Sequence, residues 1–178
     1  MHLGLLERMR RDAERGALVL DGTRYLVIRP ETVIAFQRQV ESALGAERAG
    51  ELVAEGGREG GRLSTHRFLA AGFDARGAAE AMAVMGPEIG WGLFEMVLYD
   101  PQARCVEMLV HCSPFAEAHG ASYHPVCHLL RGVVHGMAEV CFAAGGPLAA
   151  TELECEAQGA LACRFRAAPR IHAPRMDG

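Results

Sequence analysis

The sequence predicts an α+β domain in which an antiparallel sheet carries helices packed on one face. Two runs near the middle, 91–99 and 104–112, read as strands on either side of the turn Asp100-Pro101-Gln102-Ala103. Two shorter runs, 148–156 and 161–167, flank Gln158-Gly159 in the same way. Elsewhere the apolar residues fall at helical spacing, most clearly near 124–142, so strands and helices are segregated along the chain.

Taken in order, residues 3–15 are expected to form a short amphipathic helix with Leu3, Leu6 and Met9 on one side. Strands at 17–20 and 25–29 flank Asp21-Gly22, a hairpin signal that tolerates a left-handed turn. Pro30 opens a helix that carries Val33, Ile34, Phe36 and Val40 and ends at Leu44. Gly45 breaks it, and a second helix covers 46–54. The stretch Glu55-Gly-Gly-Arg-Glu-Gly-Gly-Arg62 has the glycines of a phosphate loop. Lacking a Lys-Ser/Thr ending and a preceding strand, it is read as a solvated loop between helices.

An Ala- and Met-rich helix follows at 75–86, then the central hairpin, whose Asp and Pro suit the first two positions of a type I turn. Residues 113–123 read as a loop. In the helix at 124–142, Pro125 and Cys127 fall in the first turn, where a missing N–H is harmless and the dipole favours a thiolate. Gly132 and Gly136 leave a smooth strip that would let this helix lie close on a sheet. The tail, 168–178, has two prolines and no periodicity.

Composition narrows the function. At 178 residues the chain is of ordinary one-domain size. Half of it is hydrophobic, yet no run approaches the ~20 apolar residues that span a bilayer. The first residues carry charges where a signal peptide needs an apolar core, so a cytoplasmic location is expected. Six cysteines then suggest reduced thiols or metal. All 18 basic residues are Arg, which excludes Schiff-base lysine chemistry. A net charge of −4 without a basic stripe argues against direct nucleic acid binding.

Cys127, Glu152, Cys155 and Cys163 stand out, because three thiolates and a carboxylate make a closed four-ligand site of the kind zinc accepts. A three-residue loop at 158–160 would set Cys155 opposite Cys163 across the terminal hairpin. Glu152, three residues before Cys155, points to the other face of a regular strand and joins the site only if the strand bends or bulges. Simple burial of the cysteines, or a Cys155–Cys163 disulfide, would fit the same spacing. Cys105, Cys112 and Cys141 are expected to be buried.

The central hairpin and the Cys127 helix also offer the walls of an apolar cleft. Trp91, Phe94, Met108, Val110, Val134 and Met137 are the candidate ligand-binding residues, and the methionines could adapt to a planar guest. The same residues could equally fill a core. His111, His128 and His135 could each hold a proton or orient a ligand, or be ordinary surface or core histidines.

Three stretches together resemble the 4-vinyl reductase domain family: Tyr25-Leu-Val-Ile-Arg-Pro30, Cys127-His-Leu-Leu-Arg-Gly132-Val-Val-His-Gly136, and Glu152-x2-Cys155-x7-Cys163-Arg-Phe165. The resemblance implies a fold like the subunits of TRAPP-type tethering complexes, a homodimer, and a structural zinc on Cys127, Glu152, Cys155 and Cys163. It divides the chain into an N-terminal segment (1–24), a zinc-containing ligand-binding domain (25–167) and a flexible tail (168–178). Family members include sensor domains of aromatic-responsive activators and proteins of bacteriochlorophyll clusters. The implied function is a sensor or carrier for a hydrophobic, aromatic or tetrapyrrole ligand. The alternative is an enzyme or accessory of bacteriochlorophyll synthesis, although no dinucleotide fingerprint follows a strand. The N-terminal hairpin, set apart from the other strands by helices, is expected at the dimer interface.

Overall fold

The computed structural model describes residues 4–170. The elements are α1 (Leu5–Arg8), β1 (Arg10–Asp12), β2 (Ala17–Leu20), β3 (Thr23–Tyr25), α2 (Pro30–Leu44), α3 (Ala46–Ala70) and α4 (Ala75–Glu88). They continue with β4 (Leu93–Asp100), β5 (Cys105–His111), α5 (Pro114–His119), α6 (His128–Cys141), β6 (Leu148–Glu154), a 3-10 turn (Glu156–Gln158) and β7 (Cys163–Pro169). Two antiparallel sheets result, β1-β2-β3 and β4-β5-β7-β6. The α+β class is as expected.

Strand alternation orients the larger sheet. On β5, Val106, Met108 and Val110 are buried while Glu107, Leu109 and His111 are only partly so. The buried face lies under α6, which packs on β5, β6 and β7, and under α4, which packs on β4. On the outer face Arg164 bridges Glu107 at 2.9 Å and Glu154 at 3.5 Å. No helix among the described residues is long and apolar enough to cross a membrane.

At the N-terminus the expected helix over 3–15 is reduced to Leu5–Arg8, and Arg10–Asp12 pairs with β2 instead. The cause is local: the Asp12 carboxylate accepts the backbone N–H of Arg15 at 2.9 Å, closing a turn that competes with helix. The Asp21-Gly22 turn has positive φ at both residues, 46° and 79°, as a tight hairpin requires. The third strand stops at Tyr25, and Leu26 and Val27 leave the ladder 80% and 86% exposed.

The glycine-rich stretch read as a loop is the middle of α3, a continuous helix of 25 residues. Its partner explains why. A Cβ at Gly57 or Gly61 would fall on the carbonyl oxygens of Leu129 and Val133 in α6. In return a Cβ at Gly132 or Gly136 would fall on those of Ala54 and Arg58 in α3. Each helical glycine costs about 1 kcal/mol relative to alanine, and at these four positions the backbone-to-backbone approach of the two helices offsets it. Arg58 locks the pair, its Nε and Nη2 donating to both Glu139 oxygens at 2.7 and 2.9 Å. The smooth strip of α6 thus faces a helix, not the sheet.

Gly56 and Gly60 differ. Both are exposed, and a Cβ on either would meet nothing within 4 Å.

The expected loop at 113–123 contains α5, which has Pro114 in its first turn and Ser113 Oγ accepting the N–H of Ala116 at 3.3 Å. β7 continues to Pro169, so the first residues assigned to the tail belong to the sheet; residues 171–178 lie outside the described range.

Candidate metal centre and apolar cavity

The terminal hairpin positions three of the four proposed ligands. β6 pairs with β7 so that Glu152 faces Phe165 and Glu154 faces Arg164, leaving Leu153 as an extra residue in a bulge. The bulge shifts the alternation by one. Glu152 and Cys155, three apart in sequence, therefore both point inward, as Cys163 does. The fourth ligand comes from α6, where Cys127 is the N-cap and not a first-turn residue; the helix begins at His128, and Pro125 precedes it.

One atom from each of Cys127, Glu152, Cys155 and Cys163 lies within 4.8 Å of the other three, and all four residues are buried. The Cys127 and Cys163 sulfurs are 3.5 Å apart, and all six cysteines are free thiols, so the Cys155–Cys163 disulfide does not form. Glu152 Oε2 accepts the Cys127 backbone N–H at 3.0 Å, while its Oε1 is buried without a partner. An unsatisfied buried carboxylate oxygen is strongly unfavourable. A cation among these four groups would satisfy it, so the donor set fits a metal ion.

Proton distribution points the same way. Contact with the Cys127 and Cys163 thiols holds Cys155 well below the usual thiol range, as the thiolate of the group. Its neighbours keep their protons. Cys127 is raised by Cys155 and Cys163 and then by burial. Glu152 is pushed up to about 9, by burial first and then by Cys155. Cys163 reaches about 12, the pull of Cys127 being outweighed by Cys155 and burial. A divalent cation would reverse this by attracting all four anionic forms.

Of the other cysteines, Cys105 is buried and Cys141 half-buried, but Cys112 is exposed, at the end of β5 with φ 55°.

A second feature lies further along α6. An apolar cavity of about 170 Å³ is bordered by Trp91, Phe94, Met108, Val134 and Met137, five of the six candidate ligand residues. Val110, the sixth, is fully buried and does not border it; in the ladder it faces Cys163, between cavity and cluster. The opposite wall, absent from the sequence-based expectation, is formed by Met82, Met85 and Ile89 of α4 and by Gly56, Gly60 and Ser64 of α3. With α3 read as interrupted, no wall could be drawn there.

The histidines stand apart from this cavity. His135 faces the Leu148 carbonyl at 3.1 Å, and burial lowers its pKa. His128 is held down to about 4, chiefly by burial. His111 sits on the outer sheet face, 4.0 Å from Glu95. Trp91 precedes β4 and stacks edge-on against Phe115 at 5.4 Å.

Comparison with known proteins follows this geometry. The family model of the 4-vinyl reductase domain matches residues 106–169, from β5 through α6 to the end of β7. No curated protein matches the chain. Among solved structures it is similar to the phenol-responsive sensory domain of the transcription activator PoxR with phenol, at TM-score 0.79 and 22% identity over 93% of this chain and 86% of that one. It is similar to a vinyl-4-reductase family protein from Methanocaldococcus jannaschii, at TM-score 0.54 and 16% identity over 80% of this chain and 82% of that one. It is also similar to trafficking protein particle complex subunit 3 from Naegleria fowleri, covalently bound to palmitic acid, at TM-score 0.53 and 10% identity over 80% and 96%. Identities this low establish the fold alone. The family resemblance read from the sequence stands: the stretch that supplies all four cluster residues is matched by the 4-vinyl reductase domain, in a chain folded like these three proteins.

Proposed function

We propose that this chain is a zinc-stabilised sensor or carrier domain for a small hydrophobic molecule, working as a homodimer in a reducing, cytoplasmic setting. The apolar cavity is the observation that carries the reading. Its volume of about 170 Å³ is close to the ~150 Å³ of an engineered apolar cavity that takes up benzene. One aromatic ring is therefore the natural guest. Ser64 is the single hydroxyl side chain in the lining and could bond a phenolic oxygen. A tetrapyrrole macrocycle is several times too large, so nothing in the cavity favours vinyl reduction of a pigment. The similarity to a sensory domain solved with phenol supports the same choice.

Zinc on Cys127, Glu152, Cys155 and Cys163 would tie the start of α6 to the β6–β7 hairpin. With four protein ligands it would keep no open position for substrate, so it acts as a strut. Assembly is supported by Leu26, Val27, Ile28 and Phe36, exposed apolar residues with nothing over them in a single chain. Deleting residues 1–24 should weaken the dimer in light scattering.

The test is a titration of the zinc-loaded protein with benzene, toluene and phenol. Trp91, the sole tryptophan, borders the cavity and reports occupancy by its emission, with calorimetry as the independent measure. Binding that is lost when Val134→Phe fills the space supports the proposal. Absence of heat and of any emission change with all three compounds would leave a protein–protein scaffold as the better account.

A further inference from the structure

Gly56 and Gly60 are the only exposed residues in the cavity lining, so the cavity meets solvent along their edge of α3. Their presence needs a reason. Gly57 and Gly61 let α6 approach, but Gly56 and Gly60 touch no neighbour that a methyl group would displace. Alanine at either site would favour the helix and meet open space. Neither packing nor backbone conformation requires glycine there, since neither residue has a positive φ. What alanine or anything larger would change is the opening. Across it stand Met85 and Ile89 of α4, half-buried and apolar, so a group leaving the cavity would pass along an apolar rim.

We propose that the cavity is open between α3 and α4 at Gly56 and Gly60, and that it takes single-ring compounds bearing one linear apolar substituent, with the ring inside and the substituent running out past these glycines. The proposal rests on the reading of the cavity as the ligand site and adds the class of ligand. A space of about 170 Å³ is nearly filled by one ring, so a longer ligand needs a way out. The glycine edge supplies it without any rearrangement of the core. Gly56 and Gly60 are specificity-determining positions in this sense: their missing side chains set the permitted length.

The experiment compares benzene, toluene, butylbenzene and hexylbenzene by calorimetry on the zinc-loaded wild type and on Gly60→Leu, with Gly56→Leu as the second variant. The wild type is expected to bind hexylbenzene at least as tightly as toluene. Gly60→Leu should keep benzene within about twofold and weaken hexylbenzene about tenfold or more, because the side chain occupies the path of the buried methylenes. Gly60→Ala, with a raised melting temperature, shows that the position tolerates a side chain. If benzene binds and hexylbenzene does not bind the wild type, the opening is overturned while the cavity reading survives. Equal losses for benzene and hexylbenzene in both leucine variants also overturn it. If no member of the series binds, the cavity reading itself fails and this inference with it.

Discussion

At the start of α6 four acidic side chains crowd within 4.8 Å of one another, with a carboxylate oxygen left unsatisfied. About two turns further along the same helix, Val134 and Met137 border unfilled apolar space. The first region is unstable as it stands without a cation, because like-charged groups share one buried volume. The second is merely underpacked and tolerates being empty at a modest cost in dispersion contacts. Occupation therefore means different things in the two places. A metal at the cluster would be part of folding, whereas a guest in the cavity would be a reversible addition to a folded domain.

The largest effect that could break this contrast is at the cluster. Cys155→Ala should abolish metal content and cooperative melting together, since structural zinc contributes on the order of 10 kcal/mol in small sites. A variant that melts like the wild type, by calorimetry alongside metal analysis, would show that the cluster is no strut.

Acid should separate the two regions next. Cys127, Glu152 and Cys163 hold protons in the metal-free protein and must lose them to bind a cation. Metal affinity should then rise with pH and fall as pH drops, by about tenfold per pH unit for each proton released. A dye assay should detect protons liberated on zinc addition at neutral pH. Binding of neutral toluene should change little over the range in which the metal stays bound.

Filling the cavity tests independence from the other side. Met108→Trp should remove ligand binding measured by calorimetry while zinc content stays at the wild-type level. Loss of both would mean that the regions are coupled through Val110, which stands between them.

The smallest effects sharpen the boundary between filled and open core. Gly132→Ala should destabilise by about 1–3 kcal/mol, as overpacking against the Ala54 carbonyl. Gly56→Ala should instead gain up to about 1 kcal/mol. Urea unfolding of the two variants, in opposite directions from wild type, is the expected result.

Legibility in the sequence followed the range of the interactions involved. Helix α2, the central hairpin and the Asp21-Gly22 turn were readable because proline, glycine and apolar spacing act locally. The three cysteines and Glu152 could be singled out by type and by family resemblance. The region at 55–62 could not be read, because glycines that break an isolated helix support one packed against a second helix far along the chain, and only the partner distinguishes the cases. For the same reason the α3 and α4 walls of the cavity were missed. At the N-terminus, the Asp12 turn outcompeted a weak amphipathic pattern. A period-two reading placed Glu152 on the wrong face unless the strand bulged, and Leu153 is where it does.

That bulge also bears on solubility. β6 is the last strand of its sheet, paired with β7 on one side and with no strand of this chain on the other. A straight edge of this kind invites pairing with a second molecule, and a bulge interrupts the open row of hydrogen-bonding groups. Removing Leu153 would leave Glu152 and Cys155 two residues apart in an even strand, still on one face, so the donors could be aligned without it. What the deletion would remove is the kink in the edge. One extra residue thus guards the hairpin that carries three of the four donors against strand addition by another copy.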